Sequence, residues 1–336
     1  MSVPRAWRID ESEFYELDSF GQQMEFLLRY AILAPSGRNT QPWSFRVTAD
    51  GVEVFADFSR RLMIIDRDDR ELLMSVGAAI TNFRVAAAHF GFETNVFYDS
   101  RDVDRAPVAF VTVRETCAPD RALTALFPAI PQRHTNRAPF DGESIDPTAL
   151  TRICDVIETY ADTFRLIHNR DRHCIAEWIE SGDREQMARP AFRQELADWI
   201  RPAGAPDGLT GATFGLPRAL SGAASWLMRH IDAGAWHGRR DRQLAESASV
   251  LLVVTAEDDR VSLVKAGEAL ERLLLTVTAM GLQYSFLNPA VEVEELRTRL
   301  QALTGALHPP QLLLRLGTAV AAAEATPRRP LAEVLR

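Results

Sequence analysis

The chain contains no run approaching the ~18 consecutive apolar residues that a membrane-crossing helix needs, so no membrane partner is expected. Cysteine is scarce. Cys117, Cys154 and Cys174 lie far apart in no ligand spacing, which points to reduced side chains and not to a disulfide framework or a metal site. Histidine offers no metal site either: His168 and His173 are five apart, with no acidic partner at helical spacing. An excess of positive charge is also missing. The formal net charge of −8 argues against nucleic acid as a partner. The opening residues lack the apolar stretch of a signal peptide, so a cytoplasmic location is expected. No nucleophile beside a base stands out, and no residue is assigned a catalytic role. What remains is 336 residues, 46% apolar and 25% charged, a globular composition with material for two cores.

Two segments carry chemistry. Residues 33–43 read Leu-Ala-Pro-Ser-Gly-Arg-Asn-Thr-Gln-Pro-Trp after an amphipathic stretch. Pro35 ends the preceding helix, since a proline disfavours helix in the residue before it. Ser36 and Gly37 leave backbone N–H groups open, and glycine permits close approach of another molecule. Asn39 holds a donor pair and an acceptor on one planar amide, a match for the edge of a heteroaromatic ring, and Trp43 offers an apolar wall. The plain alternative is a helix end, an Asn-Thr turn and a packing Trp. The second segment is Arg133-His134-Thr135-Asn136-Arg137-Ala138-Pro139-Phe140. Two arginines and a hydroxyl within five residues satisfy a phosphate dianion by charge-assisted hydrogen bonds; a solvated basic turn is the alternative. A third basic piece lies near the C-terminus, Pro327-Arg328-Arg329-Pro330-Leu331.

The first segment resembles the Ala-Pro-Ser-x-x-Asn-x-Gln-Pro-Trp signature of the nitroreductase family of flavoproteins, matching at positions 34–36, 39 and 41–43. The second resembles that family's Arg-x-Ser-x-Arg/Lys phosphate segment, with Thr135 at the Ser position, and the tail resembles its basic C-terminus. The resemblance implies bound FMN. Its ring would lie against Pro35, Ser36, Gly37, Asn39 and Gln41, and its phosphate on Arg133, Thr135, Arg137, Arg328 and Arg329, with His134 as a phosphate-side donor. Backbone N–H groups of the Ser285–Pro289 strand end, at Ser285 and Leu287 among them, would face flavin N5. Where the family often has Glu-Gly this chain has Asn288-Pro289, and proline has no N–H to give.

The order of the motifs departs from the family's. There the phosphate segment precedes the Asn motif in one domain, and FMN sits at a dimer interface. Here it follows the Asn motif, and residues 1–30 contain no such segment. One chain holding both halves of the dimer explains the reversal. An internal repeat agrees: Gly77–Phe92 and Gly267–Leu282 align without a gap at an offset of 190, with Gly77/Gly267, Ala79/Ala269, Ile80/Leu270, Phe83/Leu273, Phe90/Met280 and Gly91/Gly281 in register. So long a period marks a duplicated domain and not a solenoid. Nearly all-round apolarity predicts two buried helices, each stopped by a glycine. The fused arrangement and the Arg-x-Thr-Asn-Arg-x-Pro-Phe segment resemble the Acg-like branch of the family.

The expected fold is therefore α+β and nitroreductase-like: a mostly antiparallel sheet flanked by helices, in two fused halves, 1–128 and 129–336, forming a monomeric pseudo-dimer with one FMN. Helices are expected at 13–34, 69–90, 147–160, 170–183, 191–199, 218–232, 262–280 and 292–303. Strands are expected at 44–48, 52–56, 94–98, 107–114, 163–168, 249–255, 283–287 and 311–316. The breaker-rich stretch 202–217 is the candidate lid. The expected function is an FMN-dependent oxidoreductase that moves hydride from NAD(P)H to a nitro or quinone-type acceptor. The alternative is a lidded protein that stores or sequesters FMN without turnover.

Overall fold

In the computed structural model, which describes residues 4–101, 105–202, 204–214 and 218–336, the first half runs through α1 (Phe20–Ala31), the hairpin of β1 (Trp43–Thr48) and β2 (Gly51–Ala56), the long helix α2 (Arg70–His89), and β3 (Phe92–Tyr98) with β4 (Ala109–Glu115). All its strand pairs are antiparallel and their order is β1-β2-β4-β3. The one-turn α3 (Arg121–Thr124) and α4 (Pro147–Thr159) lead to β5 (Phe164–Leu166). An excursion of α5 (Arg172–Ala188), α6 (Pro190–Asp198), α7 (Ser221–His230) and α8 (Gly234–Glu246) follows. The chain then passes through β6 (Val250–Thr255), the long helix α9 (Arg260–Ala279), β7 (Gln283–Phe286), α10 (Pro289–Glu292), α11 (Glu294–Thr304) and β8 (Pro310–Gly317). The second sheet has the order β5-β6-β8-β7, again antiparallel throughout. The two sheets share one plan, and the expectation of two fused α+β halves holds.

The repeat explains how the halves join. α2 lies along α9, and both helices are apolar nearly all round because each is covered on every side. A Cβ on Gly77 would stand closer than 3.0 Å to the Val264 carbonyl oxygen, and one on Gly267 closer than 3.0 Å to that of Met74. Val264 follows Met74 by the same 190 residues that separate the two glycines. The contact is therefore reciprocal about a pseudo-two-fold axis, and glycine is needed at both places. The largest core cluster is continuous across the junction, with Phe83 and Val85 from α2 and Leu273 and Leu274 from α9. β6 and β8 are central strands with both faces covered: Leu252, Val254, Leu312 and Leu314 join the shared core, while Leu251, Val253 and Leu313 pack under α5 with Ile175 and Ile179.

The C-terminal tail crosses back to the first half. Phe45 N–H donates to Val334 O (2.7 Å) and Arg336 N–H to Phe45 O (2.8 Å), which extends the free edge of β1. Two expected elements differ, and α8 is an addition. The helix expected at 13–34 is broken into a 3₁₀ turn, Glu11–Glu16, and α1, because Ser19 caps the Gln22 N–H and starts a new helix. The helix expected at 292–303 is preceded by the separate turn α10. No element was expected where α8 lies. Its glycines hid it, yet a Cβ on Gly238 would stand 2.7 Å from Glu180 O, so that glycine is what lets α8 pack on α5. No helix among the described residues is long and apolar enough to cross a membrane.

Candidate functional site

The loop that ends α1 is under backbone strain. Arg38, Asn39 and Gln41 have φ of 48°, 57° and 52°, a left-handed region that costs a non-glycine residue ~1–3 kcal/mol. Strain of this kind persists only where the surroundings over-determine it. Ser36 Oγ accepts the Gln41 N–H (2.9 Å). The Asn39 amide donates to Gly208 O (3.2 Å) and Pro327 O (3.2 Å), and its oxygen accepts from Arg328 Nη1 (3.1 Å). Gln41 Nε2 donates to Pro206 O (2.9 Å), while its oxygen accepts the Arg329 N–H (2.8 Å). Asn39 and Gln41 thus tie together two remote segments, the 204–214 stretch and the C-terminal tail. An Asn39 amide free for a ring edge, as expected from its chemistry, is not what the structure contains.

The candidate lid, 202–217, rests on this loop as far as it is described; Ala203 and residues 215–217 lie outside the described residues. Gly208 N–H donates to Asn39 O (3.1 Å). Asp207 is held by Arg60 and by Arg201 (3.3 Å). Gly208, Leu209, Thr210 and Thr213 form part of the wall of a cavity of about 310 Å³, at the lower end of the roughly 300–1,000 Å³ of small-molecule sites.

Pro35, Ser36, Gly37, Asn39, Arg133, His134, Thr135, Arg137 and Arg328, all expected at the site, line this cavity. Four expected residues do not. Gln41 is fully buried, its amide spent on the lid segment and the tail. Arg329 turns to Asp57 (3.8 Å) and Glu333 (3.6 Å) instead. Ser285 and Leu287, expected through their backbone N–H groups, do not line the cavity; Phe286 and Asn288, whose side chains share the other face of the strand, do. Leu287 packs in the second core, and its N–H donates to Leu313 O (2.8 Å). Trp43 is not a wall either; it is buried in the shared core, and Met74, Leu270, Leu312 and Phe286 supply the apolar surface.

The basic motif divides into two kinds of arginine. Arg133 is buried and held on three sides: it pairs with the buried Glu271 (3.1 Å) and donates to Leu33 O (2.6 Å) and to the Tyr284 hydroxyl. Arg328 caps the end of α1, donating to Leu33 O (2.9 Å) and Ala34 O (3.0 Å). Arg137 is different. It is exposed on the cavity wall, and its guanidinium makes no hydrogen bond or ion pair among the described residues. Between them, Asn136 N–H bonds Tyr284 O (2.9 Å) and so pins the motif to the free edge of β7. His134 packs edge-on to Trp7 (4.5 Å), and burial together with the Arg133 and Arg328 charges pushes its pKa down to about 4, so its imidazole is neutral.

Several lining residues carried no signal in the sequence. Glu71 opens α2, where an acidic residue is ordinary; Glu292 and Asp241 lie in segments remote from either motif, and all three line the cavity. Arg38, also on the wall, pairs with Glu195 of α6 (3.3 Å). The pseudo-two-fold counterpart of this wall differs. Ser75 and Ala78 leave room on the cavity wall, whereas their counterparts Lys265 and Glu268 fill the equivalent space. Glu268 accepts from Tyr98 Oη (2.5 Å) and Arg84 Nη1 (2.9 Å), and Lys265 Nζ sits 5.0 Å from the centre of the Tyr98 ring.

No family model matches the chain. Relatives by sequence do. A Mycobacterium tuberculosis protein provisionally named NAD(P)H nitroreductase Rv3131 is 30% identical over 318 residues, 92% of this chain and 90% of its own. Another from that organism, provisionally named NAD(P)H nitroreductase acg, is 30% identical over 324 residues, 91% of this chain and 93% of its own. Among solved structures, the FMN-dependent nitroreductase NfnB of Mycobacterium smegmatis in complex with NADPH covers 63% of this chain and 97% of its own at 14% identity, with a TM-score of 0.40. A provisionally named nitroreductase from Anabaena variabilis covers 93% and 91% at 10% identity, with a TM-score of 0.47. These superpositions are loose, and kinship rests on the sequence relatives.

Proposed function

The chain belongs to the NAD(P)H nitroreductase family, and from that premise we propose that it is an FMN-dependent oxidoreductase that passes hydride from NAD(P)H to a nitro or quinone-type acceptor. The observation that carries the reading is Arg137, a cation on the cavity wall whose guanidinium makes no hydrogen bond or ion pair among the described residues. Thr135 and Arg328 line the same cavity: Thr135 adds a hydroxyl, and Arg328, its guanidinium engaged with Leu33 O, Ala34 O and Asn39, adds positive charge that suits a phosphate dianion. The loop of Pro35, Ser36 and Gly37 and the apolar side chains of Met74, Leu270 and Leu312 suit a flat ring. FMN, when bound, supplies the two-electron chemistry; the chain supplies the anchor, the ring slot and the exclusion of water. In the same proposal the halves meet at 128–129, the chain works as a monomeric pseudo-dimer in the cytoplasm, and one FMN binds per chain.

A second reading, storage or sequestration of FMN, is favoured by one feature: the segment around Gly208 is fastened to the Asn39 loop by three direct hydrogen bonds. Hydride transfer needs reacting atoms ~3–3.5 Å apart, so a cover that never lifts forbids it. The cofactor assignment is tested by titrating apo-protein with FMN. Saturation is expected at one FMN per chain. Arg137→Ala should raise Kd by about 10- to 150-fold, the worth of one hydrogen bond to a charged group at ~1.5–3 kcal/mol. Thermal stability of the apo-protein should hardly change, because the Arg137 guanidinium has no described hydrogen bond or ion pair to lose. An unaltered Kd contradicts the phosphate placement.

A further inference from the structure

Glu71 and Glu292 both line the cavity wall, near enough that the Glu292 charge disfavours ionisation of Glu71. Two neighbouring carboxylates on a shielded wall repel when both are ionised, which favours a proton on one of them. Their hydrogen-bond partners are neutral. Asn288 Nδ2 donates to Glu71 Oε1 (2.9 Å), and Gln186 Nε2 donates to Glu292 Oε2 (2.7 Å). Arg38 faces the pair from the loop and Arg70 from α2, while the carboxyls of Asp66 ahead of α2 and Asp183 on α5, both raised by burial, lie near it. Neither arginine is a dedicated counter-ion: Arg38 pairs with Glu195 (3.3 Å) and Arg70 donates to Gln311 (3.0 Å). Burial first, then the Glu292 charge, pushes Glu71 up to about 8, and the titration belongs to the pair. A Cβ on Gly37 would stand 2.7 Å from Glu71 Oε2, which places this carboxyl directly against the strained loop.

We propose that the Glu71–Glu292 pair is the proton donor to the acceptor, and that the acceptor is a neutral quinone-type molecule whose oxygen meets this pair in the cavity. The inference rests on the reductase reading. Reduction of a quinone to a hydroquinone takes two electrons and two protons. Hydride from the reduced flavin brings both electrons and one proton. The second proton comes from the pair: a carboxyl O–H bond breaks, an O–H bond forms on the quinone oxygen, and the carboxylate left behind is reprotonated by water. Other groups on the wall are unsuited. His134 is neutral at about pH 4 and above and Arg137 holds its protons too tightly; burial raises Asp241 as well, but Arg240, Arg315 and Arg137 face it and pull it back toward its ionised form, a pull that no dedicated counter-ion exerts on the glutamate pair.

The test uses Glu71→Gln and Glu292→Gln, singly and together, since Gln has the shape of a protonated Glu. In apo-protein, wild-type-minus-variant infrared spectra should show the C=O stretch of a protonated carboxyl at pH 7 that fades as pH rises through about 8; the subtraction separates it from Asp66, Asp183 and Glu271. With FMN bound and reduced by dithionite, reoxidation by benzoquinone should slow about a hundredfold or more in the double variant. The wild-type rate should fall above pH ~8, and that fall should vanish in the double variant. Dithionite bypasses NAD(P)H, so a failure of the nicotinamide to reduce the flavin counts against the reductase reading separately. No carboxyl band in the difference spectrum, no reoxidation of the wild type by benzoquinone, or an unchanged rate and pH profile in the double variant each overturns the proposal.

Discussion

Gly77→Ala is expected to destabilise the protein strongly, and Gly267→Ala to do the same. Helix propensity alone argues the other way: alanine is better than glycine in a helix interior by ~1 kcal/mol. Packing decides the sign. Each new Cβ would stand closer than 3.0 Å to a backbone carbonyl, that of Val264 or of Met74. No flexible side chain stands there to yield, so α2 and α9 must move apart along the whole junction. Overpacking a tight core costs ~1–3 kcal/mol and occasionally more, and here backbone meets Cβ, so the loss should fall at or above the upper end. Met74, Ala78 and Leu270 lie on the same helices and on the cavity wall, so FMN affinity should fall with stability. Thermal unfolding of the two apo variants is the check. A melting temperature equal to or above wild type in either would remove the reciprocal helix crossing from the account.

Arg133→Ala should be as damaging, for an electrostatic reason. It leaves Glu271 buried without its cation and strips donors from Leu33 O and Tyr284. Removing one partner of a buried pair costs ~3–5 kcal/mol. The loss should depend on pH. Burial raises Glu271 to about 7 against the Arg133 charge that lowers it, so without Arg133 its folded pKa climbs further. A raised folded pKa gives stability that is present at low pH and lost as pH rises. Below pH 7 both proteins hold the proton and differ mainly by lost hydrogen bonds; above it wild type ionises within its pair while the variant must hold a proton against rising pH. The stability difference should therefore be larger at pH 9 than at pH 6. Arg133→Met combined with Glu271→Leu should recover part of the loss, since a hydrophobic replacement of a buried pair is often tolerated. A pH-independent loss under 1 kcal/mol in denaturant unfolding contradicts the buttress role. Arg137→Ala is the contrast: little effect on stability, a large one on FMN.

The contrast between these arginines marks the limit of what the sequence makes legible. Gly77 and Gly267 were readable, because close backbone approach leaves a glycine at each site and the repeat places both in one register. The loop around Asn39 was readable by its residue types, but the partners of its amide were not: Gly208, Pro327 and Arg328 come from segments far along the chain. Arg133 and Arg137 look alike in sequence, and only the position of Glu271 inside an apolar helix hints that one arginine is buried. At β7 the sequence named Ser285 and Leu287, while Phe286 and Asn288 line the cavity, because the short strand offers little alternation to show which side chains face it. Glu71 and Glu292 bore no local mark, since their chemistry arises when α2 and α10 meet.

The most direct test of the central claim is the visible spectrum of the FMN-loaded protein under anaerobic conditions, recorded before and after NADPH and NADH are added separately in excess. The account predicts that the flavin bands bleach with at least one of them and return when benzoquinone is added. Bands that persist with both nucleotides, yet bleach with dithionite, contradict the reductase and leave a protein that holds FMN beneath a closed cover.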